Sequence, residues 1–132
     1  MTRKKRMQLW LLLLGLLLLL GAGWAGWDYL EYRSALDTTR EWAQLAPFPA
    51  STKNLKVDTR GGMFTREFRV EFDAPPADVE AWLAASPGIP GAVMTRTGKS
   101  RHYQITPGGG AAFAELTFDE GTGHVRVRVY WS

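Results

Sequence analysis

The feature that most constrains this chain is an uninterrupted apolar run over residues 9–27, LWLLLLGLLLLLGAGWAGW. The run contains no charged residue, and its most polar side-chain group is the indole N–H of tryptophan. A helix of this length rises about 28 Å, close to the hydrocarbon thickness of a bilayer. A chain of 132 residues has too little other mass to bury such a helix in a soluble core. We therefore predict a transmembrane helix over residues 9–27.

Four basic residues precede the apolar run: Arg3, Lys4, Lys5 and Arg6. By the positive-inside rule, basic residues beside a membrane helix hold that end in the cytoplasm. The flank that follows the run carries Asp28, Glu31 and a single basic residue, Arg33. We therefore expect residues 1–8 to be a cytoplasmic basic stub. The chain from residue 28 onward is then periplasmic or extracellular.

Aromatic residues lie near both ends of the run: Trp10 at the first end, and Trp24, Trp27, Tyr29 and Tyr32 at the second. Tryptophan and tyrosine concentrate at the two membrane–water interfaces, so these five residues are predicted membrane-interface residues. A cleaved signal peptide is the alternative, because it also combines a basic start with an apolar core. The run exceeds the usual 7–15 residues of such a core, which favours a retained signal anchor. The sequence alone leaves cleavage open.

The formal net charge of +3 belongs to the N-terminal stub. Beyond it, the remaining 12 of 16 Lys and Arg residues face all 13 Asp and Glu residues, which gives residues 28–132 a net charge of −1. A nucleic-acid-binding domain would need a basic patch, so we expect no nucleic-acid partner. The chain has no cysteine, as is common in exported bacterial domains, and this excludes disulfides and cysteine-ligated metals.

Residues 28–46 lack glycine and proline, and their apolar residues recur at helical spacing. We predict that the membrane helix continues through them as an extramembrane extension. Pro47 and Pro49 then end the helix, and residues 47–54 are predicted to be a linker. Trp42 would lie about 22 Å beyond Trp27 at helical rise, too far out for lipid contact. Trp42 and Phe48 must therefore meet either the folded domain or a partner protein, and we predict the partner contact.

Residues 55–132 show the period of two that is typical of strands, interrupted by one short helical stretch that contains Trp82. The predicted domain is α+β, an antiparallel sheet in the order β-β-α-β-β-β-β with one packed helix. Gly61-Gly62 indicates a two-residue hairpin that sets Lys56 opposite Glu67. The last hairpin is predicted to set Glu115 opposite Arg126, with the final strand at a sheet edge.

No catalytic, cofactor-binding or metal-binding constellation is recognisable. His102 and His124 have no second ligand at metal spacing, and the glycine pairs and triplets lie between predicted strands rather than before a helix. Arg66 interrupts the apolar face of its strand. It either extends its guanidinium into water at the margin of the sheet or contacts a partner's carboxylate or another anion, and we predict the partner contact. We expect neither enzymatic activity nor a cofactor.

The favoured function is that of a structural or accessory subunit in a larger membrane protein complex, for example a respiratory or photosynthetic one. Its partners would be the lipid bilayer and other membrane-protein subunits. The alternative is a membrane-tethered extracytoplasmic binding module for a lipid, cell-wall or small-molecule ligand, with its site between helix and sheet near Trp82. The sequence names neither the partner nor the stoichiometry.

Overall fold

The computed structural model describes residues 2–132, apart from the side chain of Asp28. Met1, the first residue of the predicted basic stub, lies outside the described residues. The first helix, α1, is continuous over Arg3–Trp42 and so contains both the predicted membrane segment and most of the predicted extension. The chain divides into two compact units, Met1–Ser34 and Ala35–Ser132.

The described part of the first unit is helical, and its apolar side chains are uncovered. The ten leucines between residues 9 and 20 are each 48–73% exposed. A helix with apolar side chains on every side is typical of a membrane span rather than of a soluble surface helix. Among the described residues, α1 is the one helix long and apolar enough to cross a membrane.

The second unit contains six strands and a second helix. The strands are β1 (Lys53–Arg60), β2 (Arg66–Asp73), β3 (Val93–Thr97), β4 (Ser100–Ile105), β5 (Phe113–Asp119) and β6 (His124–Trp131), and α2 is Pro76–Ala85 between β2 and β3. They form one antiparallel sheet in the order β1-β2-β6-β5-β4-β3. The predicted α+β class with an antiparallel sheet is confirmed.

The final strand lies inside the sheet, so its predicted edge position is wrong. Strand β6 pairs with β2 on one side and β5 on the other, and the two edges are β1 and β3. Val125, Val127 and Val129 of β6 are fully buried. The apolar row fixes which face of β6 is buried, and the pairing with β2 and β5 gives the strand its central position.

Both predicted hairpin registers are also wrong. Lys56 lies opposite Glu71 rather than Glu67, because five residues (61–65) connect β1 to β2 instead of two. In the last hairpin, Glu115 lies opposite Arg128 rather than Arg126. In both hairpins, the observed partner has the same charge as the predicted one and lies on the same face of the neighbouring strand. The predicted inner and outer faces of the strands are therefore still correct.

The core lies between one face of the sheet and the helices. The alternation of the strands and the helical spacing around Trp82 predict that Phe68, Val70, Trp82, Leu83 and Val127 are buried together. All five belong to one buried cluster, so this prediction is confirmed. The part of α1 inside this unit and the turn that follows it cover the same core through small residues, Ala35 and Thr39 of α1 and Ala43 directly after it, each at most 4% exposed. Small side chains at this spacing allow close approach of a helix to its neighbour.

Candidate functional site

The two aromatic residues predicted to contact a partner both pack on the core of the second unit. The Trp42 ring lies 5.5 Å from the Phe68 ring, and the Phe48 ring lies 5.4 Å from the Phe72 ring. Both are half-buried and therefore keep some exposed surface. Their own chain thus supplies a packing partner for each ring, and a contact with another protein stays a prediction.

The glycine-rich loop after β4 explains how Trp42 is held. Gly108 N–H donates to the Trp42 carbonyl at 2.9 Å, and Gly109 adopts a left-handed φ of +61° over the indole. A Cβ atom on Gly109 would lie only 2.7 Å from Trp42 Cδ1. Glycine is therefore required for close packing on the ring, a purpose that the sequence pattern of a plain turn did not reveal.

The space near Trp82 is filled rather than open. The Trp82 ring is 4% exposed and lies 5.4 Å from Phe72 and 5.9 Å from Phe48. Its Nε1–H donates to the Ala46 carbonyl at 2.9 Å. Ser86 Oγ accepts a hydrogen bond from Ala46 N–H at 3.0 Å and donates one to the Trp82 carbonyl at 2.8 Å. Helix α2 and the Ser86 that follows it therefore bind both backbone groups of Ala46.

An open cleft of about 370 Å³ lies beside Trp42 instead. It is lined by Thr38 and Trp42 of α1, by the β1–β2 loop and the start of β2, and by Gly109 and Trp131. Arg66, predicted as a partner contact, is an exposed residue on the wall of this cleft. The alternation of Phe64 with Phe68 and Val70 predicts that it shares the buried face of β2. This prediction is wrong, because Phe64 lies in the loop before the strand and is 76% exposed.

The second face of the sheet is covered by no element of the second unit and carries charged side chains in alternation. Opposite signs face each other between β1 and β2: Lys56 with Glu71, Asp58 with Arg69, and Arg60 with Glu67. Across the next pair of strands, Arg126 Nε lies 2.7 Å from Glu71 Oε1. Arg128 of β6 pairs with Glu67 of β2 and with Glu115 of β5, whereas Asp58–Arg60 and Glu67–Arg69 are ion pairs along one strand. We call this surface the charged face; it consists of Lys56, Asp58, Arg60, Glu67, Arg69, Glu71, Glu115, Arg126 and Arg128.

Glu67 compensates the repulsion between the two like charges that face each other within the charged face. Arg69 and Arg128 lie directly opposite each other on β2 and β6. Glu67 lies 3.5 Å from Arg69 Nη2 and 3.1 Å from Arg128 Nη1, so one carboxylate serves both guanidinium groups. Its side chain is only 15% exposed, which strengthens these interactions relative to fully solvated pairs.

Both histidines lie at the charged face and each pairs with a carboxylate. His102 Nε2 is 2.9 Å from Glu115 Oε2, and His124 Nδ1 is 2.7 Å from Asp73 Oδ1. Hydrogen bonds from Asn54 and then His124 hold the pKa of Asp73 below its usual range. Within residues 2–132, no three His, Asp or Glu side chains lie close enough together to hold a metal ion.

Sequence reasoning did not single out Arg101, which joins three parts of the second unit. This β4 residue lies on the core side of the sheet, with its side chain 14% exposed. It pairs with Glu80 of α2 and with Glu120 of the β5–β6 turn, and its guanidinium lies over the Phe118 ring at 5.1 Å. In the sequence, the alternation of Arg101 with Tyr103 and Ile105 indicates that Arg101 lies on the core side, because those two residues are buried on that side.

The residues predicted to lie at the membrane interfaces and to set the orientation all belong to α1. Trp10, Trp24 and Trp27 are 72–75% exposed, and Tyr29 and Tyr32 are 58% and 39% exposed. The basic residues from Arg3 to Arg6 occupy the first turns and are exposed.

Comparison with known proteins found no matching family model, no similar curated protein and no similar solved structure.

Proposed function

We propose that this protein is a single-pass membrane protein with a cytoplasmic N-terminus and an extracytoplasmic second unit that serves as an accessory subunit of a membrane protein complex. The observation that carries the proposal is the exposure of every leucine in the apolar run. Exposure of this apolar surface to water is energetically unfavourable, so lipid or the helices of other subunits must cover it.

The orientation in this proposal is supported by the basic cluster at Arg3–Arg6 and the acidic residues that follow the apolar run. A reporter enzyme that is active only outside the cytoplasm, fused after Ser132, should be active. A reporter that requires the cytoplasm should be inactive at the same position. The reverse pattern would overturn the assigned topology.

The charged face is the part of the second unit best suited to a subunit contact. Its side chains already form ion pairs with one another, so a partner with complementary charges meets groups that are held in place. Ordered charges of this kind contribute to specificity and association rate more than to raw affinity. We therefore expect the partner to recognise the pattern of charges rather than one residue.

A charge-swap variant tests this contact without removing an ion pair. In Glu71→Arg/Arg126→Glu, the pair stays possible and the net charge is unchanged, but the local pattern is inverted. The tagged full chain, extracted from its own membranes in mild detergent, should migrate as a stoichiometric complex, and the swap variant should lose its companion subunit at unchanged thermal stability. The matched control, Ala81→Glu/Ala85→Lys on exposed positions of α2, should keep it. Wild-type protein that migrates alone would refute the proposal.

The alternative function, a ligand-binding module, is favoured by one observation. The cleft beside Trp42 has a volume of about 370 Å³, within the range of small-molecule sites. A ligand there would contact the Trp42 indole and change its fluorescence. If candidate lipids or cell-wall fragments change the fluorescence of the wild type and equally that of Trp42→Phe, the cleft is not their site.

A further inference from the structure

We propose that the β1–β2 loop, residues 61–65, inserts into the phospholipid surface of the membrane that holds α1. The inference rests on the proposed membrane span. The loop carries the two most exposed large apolar side chains of the second unit, Met63 at 90% and Phe64 at 76%. The free energy decreases when adjacent apolar side chains leave water and enter the boundary between the headgroups and the acyl chains.

The conformation of the loop fixes this presentation. Gly61 approaches Thr65 so closely that a Cβ atom would lie 2.2 Å from the Thr65 carbonyl oxygen. Gly62 N–H also donates to Thr65 Oγ1 at 3.3 Å. The base of the loop is thereby closed, and Met63 and Phe64 form its tip. A closed loop loses little conformational entropy when the tip inserts.

The second unit begins a short distance along α1 from the predicted membrane segment. Ala35, its first residue, follows Trp27 by eight residues of one continuous helix, a rise of about 12 Å. Within the second unit, the loop lines a cleft together with Thr38, which lies three residues after Ala35. The bilayer that the proposed span crosses is therefore the apolar surface that we assign to the tip.

The chemistry around the tip suits phospholipid. Trp131 is 43% exposed beside the loop and would lie at headgroup depth, where an indole combines apolar contact with a polar N–H group. Arg66 follows the loop and is exposed, so its guanidinium would pair with a lipid phosphate. This assigns to Arg66 the anion contact that its position on the strand suggested.

The absence of natural cysteine allows a direct test. The full chain is reconstituted into phosphatidylcholine–phosphatidylglycerol vesicles with an environment-sensitive fluorophore on a single introduced cysteine. The test position is Phe64→Cys, and the control is Thr122→Cys in the exposed turn at the opposite end of β6. We expect the label at position 64 to shift to the blue and to be quenched by spin labels near the headgroups. The label at position 122 should show neither effect.

Two further variants resolve the contributions of the loop. Met63→Asp in the Phe64→Cys background should abolish the blue shift, because it places a charge at the inserting tip. Arg66→Gln should lower the ratio of inserted to free loop about fivefold, the effect of one basic residue at an anionic surface. An unchanged melting temperature shows that each variant is folded.

The outcomes separate this inference from the proposed function. If the protein stays with the vesicles after an alkaline wash but both labels report water, the span stands and loop insertion is refuted. Equal quenching at both positions refutes it as well. If the wash removes the protein from the vesicles, the proposed span fails and the inference fails with it. A label at position 64 that is shielded by a co-purified protein but not quenched by lipid spin labels assigns the loop to a protein contact instead.

Discussion

Removal of the Trp82 side chain tests whether helix α2 and the segment after α1 form one core with the sheet. The Trp82 ring contacts Phe48 and Phe72, and its Nε1–H binds the Ala46 carbonyl. Truncation of a large buried aromatic residue to alanine costs about 3–5 kcal/mol in the free energy of unfolding. A unit of this size has a total stability of about 5–15 kcal/mol, so Trp82→Ala should remove about a fifth of it or more.

Two companion variants separate the sources of that loss. Trp82→Phe keeps most of the ring packing but leaves the Ala46 carbonyl without its donor, which costs about 1–3 kcal/mol. Phe64→Ala is the control, because its ring is 76% exposed, and it should change stability by less than about 0.5 kcal/mol. The expected order of destabilisation is therefore Trp82→Ala, then Trp82→Phe, then Phe64→Ala.

The assay is equilibrium urea unfolding of the full chain in mild detergent, followed by the circular dichroism of the sheet. With about 4–8 °C per kcal/mol for a domain of this size, Trp82→Ala should also lower the melting temperature by at least about 12 °C. A loss below about 1 kcal/mol for Trp82→Ala would show that α2 does not cover the sheet. It would refute the packing on which the argument depends.

Three other outcomes are expected. Arg101→Gln should lower the urea concentration at the midpoint of unfolding of the second unit, because Glu80 loses its partner, Glu120 keeps only Arg96, and the contact with the Phe118 ring is lost. Hydrogen bonds from Arg101 hold the pKa of Glu120 below its usual value of 4.5, so this pair stabilises the fold above that pH and the stabilisation is lost as pH falls through the lowered pKa. Thermal melts from pH 7 to pH 3 should accordingly decline less steeply in Glu120→Gln than in the wild type. Gly123→Ala should cost more than about 2 kcal/mol, since its φ is +76° and a methyl group would lie 1.8 Å from a backbone oxygen; Gly98→Ala, with φ +61° but open space, should cost less.

The local character of each segment was readable from the sequence. The uncharged run over residues 9–27 predicted an apolar helix, because a 3.6-residue period with no polar stripe leaves few other structures. The alternation around Phe68, Val70 and Val127 predicted which side chains are buried, because side chains on a strand point to opposite faces in turn. Trp82 and Leu83 were placed in the same core by their helical spacing.

The partners of those segments were decided only by the tertiary structure. Strand β6 is last in the chain but lies between β2 and β5, because alternation fixes a strand's faces and not its neighbours. The five-residue loop before β2 moved Phe64 out of the apolar face, and each hairpin register follows from such turn lengths rather than from pairing rules. Arg101 gained its role because folding brings Glu80 and Glu120, both distant in sequence, to one guanidinium. Periodicity is a property of a segment by itself, whereas the free energy of pairing and burial depends on segments that meet only in the folded chain.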